Sequence, residues 1–346
     1  MFDSSESQHI LELRPGDGID EATANRSPLL AFNLSGTRLP LVCVRSWQHD
    51  VDNYRNLASA LGADQPIYTA SPPMGETEAD FPRDTEAWAE HFSRILGPIL
   101  DRENLILGGW SYAGVIALHI GEQLAARGRP PLLVNLIDSV MPVAKPRGDA
   151  RRRTRLQKFV VTLNQGMEIS DPESRRKFFV DYAKTQATGL ATRKLWDLRN
   201  VGRRMLGREA EIHPDLIRKK LKATTPVDPN MMAIRVSYLK SRPVNSTLPV
   251  SLYRCEESQT KMGDSSLGWS MRMLGEFHSY PIKGDHNSLY EPENIASLAN
   301  ALSGELERAA KRASAGAPHA VARHPHPDRA SSQASLHSQF GLPPGS

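Results

Sequence analysis

Ser111 lies in Leu105-Ile106-Leu107-Gly108-Gly109-Trp110-Ser111-Tyr112-Ala113-Gly114-Val115, between a strand-like apolar run and a helical stretch. The residues two places to either side, Gly109 and Ala113, are small. A serine in a sharp strand-to-helix turn needs this spacing, because larger flanking side chains would strike the neighbouring strand or helix. The turn exposes the hydroxyl and aims the following N–H groups and the helix N-terminus at a developing oxyanion. Ser111 therefore reads as a nucleophile. Ala113, where a second glycine is common, adds only a methyl group.

A serine hydroxyl is a poor nucleophile until a neighbouring base takes its proton. His286, in Lys283-Gly284-Asp285-His286-Asn287-Ser288, follows the apolar Phe277–Ile282 run and precedes the last helical stretch. His49 and His91 precede the serine, His119 falls in the helix after it, and His278 lies within a strand, so His286 is the candidate base. A carboxylate must then orient the imidazole and stabilise its charged form. Asp138 ends the Leu132–Ile137 run, whereas Glu256, Glu257 and Asp264 follow the Val250–Cys255 run, the more usual place for the acid. Asp285 is too close to His286 in sequence to face its ring easily and reads as a loop-shaping residue. Spacing alone leaves the acid open.

The elements that must carry these residues alternate along the chain. Continuous apolar runs at 39–44, 65–70, 104–107, 132–137, 248–255 and 276–282 have the character of buried parallel strands. Helical spacing of Trp88, Phe92, Ile95, Leu96 and Ile99 predicts a helix behind an Asp84 N-cap. A second helix spans 115–127, closed by Gly128, and a last one runs from about 292 to 311. Strand–helix–strand repetition predicts an α/β protein with a mostly parallel central sheet flanked by helices. A serine at a strand–helix turn, followed along the chain by an acid and then a histidine, is the order of the α/β-hydrolase fold.

Residues 1–28, polar and broken by Pro15, Gly16 and Gly18, read as a loose leader. Residues 29–312 read as one α/β domain, and 313–346, rich in Ala, Ser, His and Pro, as a disordered tail. Residues 145–228 break the rhythm with basic helical stretches. Counted from Lys145 to Ala223 they hold 21 basic and 9 acidic residues, against a whole-chain formal charge of only +4. The basic clusters are Arg151, Arg152, Arg153 and Arg155, and Arg218, Lys219, Lys220 and Lys222. They lack the interleaved aromatics of a single-strand nucleic-acid surface, so no nucleic-acid partner is expected.

The 346 residues are 39% hydrophobic and 24% charged, an ordinary soluble composition. No stretch approaches the ~18 apolar residues of a membrane span, and the polar, acidic start lacks the basic-then-apolar pattern of a signal peptide. The two cysteines, Cys43 and Cys255, lie in apolar runs and read as buried thiols of a cytoplasmic protein.

Taken together, the segments resemble the thioesterase domains that end nonribosomal peptide and polyketide assembly lines. The resemblance rests on Pro40-Leu41-Val42-Cys43-Val44, Tyr54-Arg55-Asn56-Leu57-Ala58, Gln65-Pro66-Ile67-Tyr68, Gly108-Gly109-Trp110-Ser111-Tyr112-Ala113-Gly114, Leu136-Ile137-Asp138-Ser139, Leu267-Gly268-Trp269 and Gly284-Asp285-His286, and covers residues 30–310. In that family the acid follows the strand after the serine turn by about 27 residues, and Asp138 is 27 past Ser111, so the resemblance assigns it. It implies oxyanion donors at the Trp47 and Tyr112 N–H groups. Where the family carries His-Pro-x-Gly-Gly, this chain has Arg45-Ser46-Trp47-Gln48-His49; Arg45 and His49 are left as substrate contacts or as parts of a solvated loop.

The resemblance also implies that 145–228 form a helical lid whose basic clusters contact an acyl or peptidyl carrier protein, or the phosphates of coenzyme A. No metal or prosthetic group is expected, the substrate itself riding on phosphopantetheine. The Met1 start, with no carrier module upstream, suggests a stand-alone enzyme acting in trans. The expected activity is thioester release through an acyl-Ser111 intermediate, by hydrolysis or cyclisation. The alternatives are a general carboxylester hydrolase of the same fold and a non-catalytic binding protein that retains it.

Overall fold

Short apolar runs become the strands of a single sheet in the computed structural model, which describes residues 10–13, 23, 27–45, 50–75, 77–142, 171–173, 176–177, 180, 229–242 and 244–315. The strands are β1 (Leu11–Leu13), β2 (Leu29–Phe32), β3 (Leu41–Val44), β4 (Ile67–Ala70), β5 (Ile106–Trp110), β6 (Leu133–Ile137), β7 (Val250–Cys255) and β8 (Phe277–Ile282). Their order in space is β1-β2-β4-β3-β5-β6-β7-β8. Among the described strands only the β2–β4 pairing is antiparallel. Strands β2 to β6 are buried along nearly their whole length, which is why β3 to β6 read as unbroken apolar runs.

Alternate residues of a strand face opposite sides, and the core divides accordingly. On one side Val42 and Val44 pack with helices α2 (Thr85–Leu100) and α3 (Tyr112–Ala126), through Trp88, Phe92 and Ile116. On the other, Leu41 and Cys43 meet α1 (Val51–Leu61) and α6 (Ile295–Ser314), through Tyr54, Leu57, Leu298 and Leu302. Helices cover both faces, the architecture expected of crossover connections in a parallel sheet. Asp84 caps α2 as predicted, its carboxylate accepting from the Ala87 N–H at 2.9 Å. Gly97, at φ 26°, and Pro98 interrupt that helix near its end.

Several elements depart from the sequence reading, which placed no strand at β2 and no helix at α1 or over Glu256–Met262. Within the segment read as a loose leader, Leu11–Leu13 pair in parallel with β2 and bury Leu13. A three-residue strand is too short for periodicity to reveal. The last helix reaches Ser314, so residues 313 and 314 belong to the fold rather than to a tail. Helix α4 (Pro229–Lys240) was not foreseen, because its apolar residues are spread around the helix instead of along one stripe. Helix α5 (Glu256–Met262) directly follows β7. The lid expected over 145–228 lies outside the described residues apart from 171–173, 176–177 and 180, and the tail from 316 onward lies outside them too.

Candidate active site

Parallel strands deliver their carboxyl ends to one edge of the sheet, and the chemistry gathers there. Ser111 follows β5 and precedes α3, with φ 58° and ψ −125°, a conformation few L-residues adopt. Its N–H donates to the Ile137 carbonyl at 2.8 Å, tying the turn to β6. A Cβ on Gly109 would overlap the Ala113 carbonyl carbon, and one on Gly114 would overlap the Ser139 hydroxyl and sit 2.8 Å from the Gly109 oxygen. The turn therefore requires glycine at 109 and 114, while Ala113 keeps its methyl group in the core.

Asp138, one residue past β6, also has a positive φ, 43°. Its N–H donates to the Tyr253 carbonyl at 2.6 Å, and its Oδ1 accepts from the Cys255 N–H at 2.9 Å, so β7 holds both its backbone and its carboxylate. The Ser258 hydroxyl, in the first turn of α5, donates to Oδ2 at 2.7 Å. Asp138 is fully buried, and a buried carboxylate persists only with such partners. His286, in the loop after β8, sets Nδ1 2.7 Å from Asp138 Oδ2 and Nε2 3.1 Å from Ser111 Oγ. The sequence candidates Ser111, Asp138 and His286 are thus joined in one hydrogen-bonded chain.

The other acids are engaged elsewhere. Glu257 pairs with Lys261 at 2.5 Å, and Asp264 accepts from the Ser266 and Gly268 N–H groups. Asp285 accepts from the Asn287 and Ser288 N–H groups, which hold its carboxyl below the usual range, as a loop-shaping residue should. Glu256 sits exposed at the start of α5.

Tyr112 is the first residue of α3, and the first N–H groups of a helix lack intrahelical acceptors, so they open beside the Ser111 hydroxyl. Trp47 lies outside the described residues. Arg45, at the end of β3, is neither a substrate contact nor part of a solvated loop: it is fully buried, 3.1 Å from Asp50 and hydrogen-bonded to the Ser71 hydroxyl. His49 lies outside the described residues, as do the basic clusters Arg151–Arg155 and Arg218–Lys222.

Sequence reasoning missed the supports of this arrangement. Ser258 carries no motif of its own. The Trp110 ring lies 5.2 Å from the His286 ring and meets Tyr290 edge-on at 5.6 Å. Trp269 donates its indole N–H to the Ser139 carbonyl at 2.7 Å, steadying the chain just past Asp138; this explains a tryptophan noticed only through the resemblance. A cavity of about 470 Å³ opens over Ser111, Tyr112 and His286, lined also by Met231, Ile234, Arg235 and Tyr238 of α4. Among the described residues no cluster of His, Cys, Asp and Glu could hold a metal, and no helix is long and apolar enough to cross a membrane.

A mostly parallel eight-stranded sheet with flanking helices and a serine at the β5–α3 turn is the α/β-hydrolase fold. Residues 40–306 match the family model of the thioesterase domain, and the chain belongs to that family. It is 24% identical over 245 residues to the probable thioesterase gloN of Glarea lozoyensis, spanning 70% of this chain and 80% of that protein. It is 31% identical over 120 residues to the orsellinic acid synthase armB of Armillaria mellea, 34% of this chain but only 5% of the synthase. Among solved structures, the NocB thioesterase domain in covalent complex with a fluorophosphonate nocardicin G analogue superposes with a TM-score of 0.50 at 18% identity, covering 80% of this chain and 99% of that one. A four-domain nonribosomal peptide synthetase bound to AMP and glycine gives 0.51 at 16%, over 80% of this chain and 20% of the synthetase.

Proposed function

We propose that the protein is a serine thioesterase that releases an acyl, polyketide or peptidyl chain from a phosphopantetheinyl carrier or coenzyme A. The observation that carries this is the relay Ser111 Oγ, His286 Nε2 at 3.1 Å, and His286 Nδ1 to Asp138 Oδ2 at 2.7 Å, in a chain of the thioesterase-domain family. A carboxylate can only accept, so Nδ1 carries the hydrogen and Nε2 is left as the base. His286 takes the Ser111 proton as Oγ attacks the thioester carbonyl. The tetrahedral oxyanion is held by the Tyr112 N–H and, from the family resemblance, the Trp47 N–H. Collapse expels the thiol, which receives the proton from His286, and leaves acyl-Ser111. Water, or a hydroxyl or amine of the chain itself, then attacks with His286 again as base, and the acid or the cyclised product departs.

An acyl or peptidyl carrier protein is the proposed partner, with the basic clusters Arg151–Arg155 and Arg218–Lys222 supplying charge toward an acidic carrier. Mass spectrometry after incubation with acyl-loaded carrier protein should find the acyl group on the Ser111 peptide in wild type and none in Ser111→Ala. Asp138→Asn should slow turnover by up to ~10⁴-fold, because an amide holds the imidazole in the wrong tautomer, with Asp264→Asn close to wild type. Turnover of simple oxygen esters without any thioester activity would instead identify a carboxylester hydrolase.

A further inference from the structure

Helix α4 presents Met231, Ile234, Arg235 and Tyr238 to the cavity over Ser111, at the i, i+3, i+4, i+7 spacing of one helix face. Three of these are apolar or aromatic, and the Tyr238 ring meets Tyr112 edge-on at 5.7 Å. Arg235 is different. It is half-buried beside those apolar neighbours, and no ion pair or hydrogen bond joins it to a described residue. Among the described lining residues, Lys261 and Glu257 pair with each other, and Asp285 is occupied by backbone N–H groups of its own loop. A guanidinium is a planar fork of donors suited to carboxylate or phosphate, and in a partly desolvated cavity such a contact is stronger than at an open surface.

Resting on the thioesterase reading above, we propose that Arg235 is a specificity-determining residue that binds an anionic group of the thioester substrate, a carboxylate on the acyl chain or a phosphate of the carrier arm. The apolar remainder of the substrate lies along Met231, Ile234 and Tyr238. The guanidinium holds the substrate but takes no part in bond making, so its effect belongs in KM rather than kcat.

The test compares wild type, Arg235→Gln and Arg235→Lys on three thioesters: an N-acetylcysteamine thioester whose acyl chain ends in carboxylate, its carboxamide counterpart, and the carboxamide acyl group on coenzyme A. If Arg235 reads the acyl chain, the wild-type preference in kcat/KM for carboxylate over carboxamide falls about tenfold in Arg235→Gln, equivalent to 1.4 kcal/mol, with the change in KM. If it reads the arm, the preference for coenzyme A over N-acetylcysteamine falls by that factor instead. Arg235→Lys restores part of either preference. Equal kcat/KM losses on all three substrates, or no preference in an active wild type, would overturn the assignment. A wild type that cleaves none of the three and forms no acyl-Ser111 would overturn the thioesterase reading itself.

Discussion

Ser258 shows how much of this site depends on residues that carry no chemistry themselves. Its hydroxyl donates to the same Asp138 oxygen that faces His286, and with the Cys255 N–H it keeps a fully buried carboxylate aimed at the imidazole. A hydrogen bond to a charged group is worth ~1.5–3 kcal/mol. Ser258→Ala should therefore lower kcat by about tenfold with KM little changed, measured on any thioester the wild type turns over. An unchanged kcat would leave Ser258 a core hydroxyl only. The serine, the histidine and the short list of acids were legible from residue type and order. The choice of Asp138 comes from a resemblance, because Glu256, Glu257 and Asp264 stand in the more usual place for the acid. The supporting contacts of Ser258, Trp110 and Trp269 were not legible: each joins segments far apart in the chain, and no local pattern encodes such a meeting.

At the scale of elements, two glycines make opposite predictions. Gly114 lies where α3 passes the chain after β6, and a methyl group there would strike the Ser139 hydroxyl and crowd the Gly109 oxygen. Gly114→Ala should cost about 1–3 kcal/mol by overpacking and move the Ser111 turn with it. Gly304, inside α6, has nothing near its missing Cβ. Gly304→Ala should stabilise by up to ~1 kcal/mol, since helical alanine loses less backbone entropy. Thermal melts of both variants check the pair, with a lowered midpoint expected for the first and a raised one for the second. Buried parallel strands such as β3, β5 and β6 were readable as apolar runs because both faces are covered. By contrast, β1 was too short and α4 too evenly apolar to stand out, so the wall that carries Arg235 came only with the structure.

The whole molecule carries a pH signature from imidazoles largely withdrawn from water. His91, on α2 against the rings of Trp88 and Phe92, is pushed down to about 4 by burial, with Arg94 adding to the effect. Burial lowers His119 as well. Between pH 4 and 6.5 the unfolded chain binds more protons at His91 than the folded one, so this contribution to stability is complete above 6.5 and is lost as pH falls toward 4. Urea unfolding at a series of pH values should show that acid slope, and His91→Phe should flatten part of it. A slope identical in the variant would assign the acid sensitivity to other groups.

Strands β6 and β7 are hydrogen-bonded neighbours that jointly clamp Asp138, yet 112 residues separate Ile137 from Val250. Closing a connection of that size carries an entropic cost that rises only with the logarithm of its length, about 0.6 kcal/mol for each doubling. The acid's seat is therefore nearly indifferent to how much chain is inserted between the two strands. Evolution could lengthen, shorten or exchange that segment, the α4 wall of the cavity included, while Ser111, Asp138 and His286 stay where the sheet sets them.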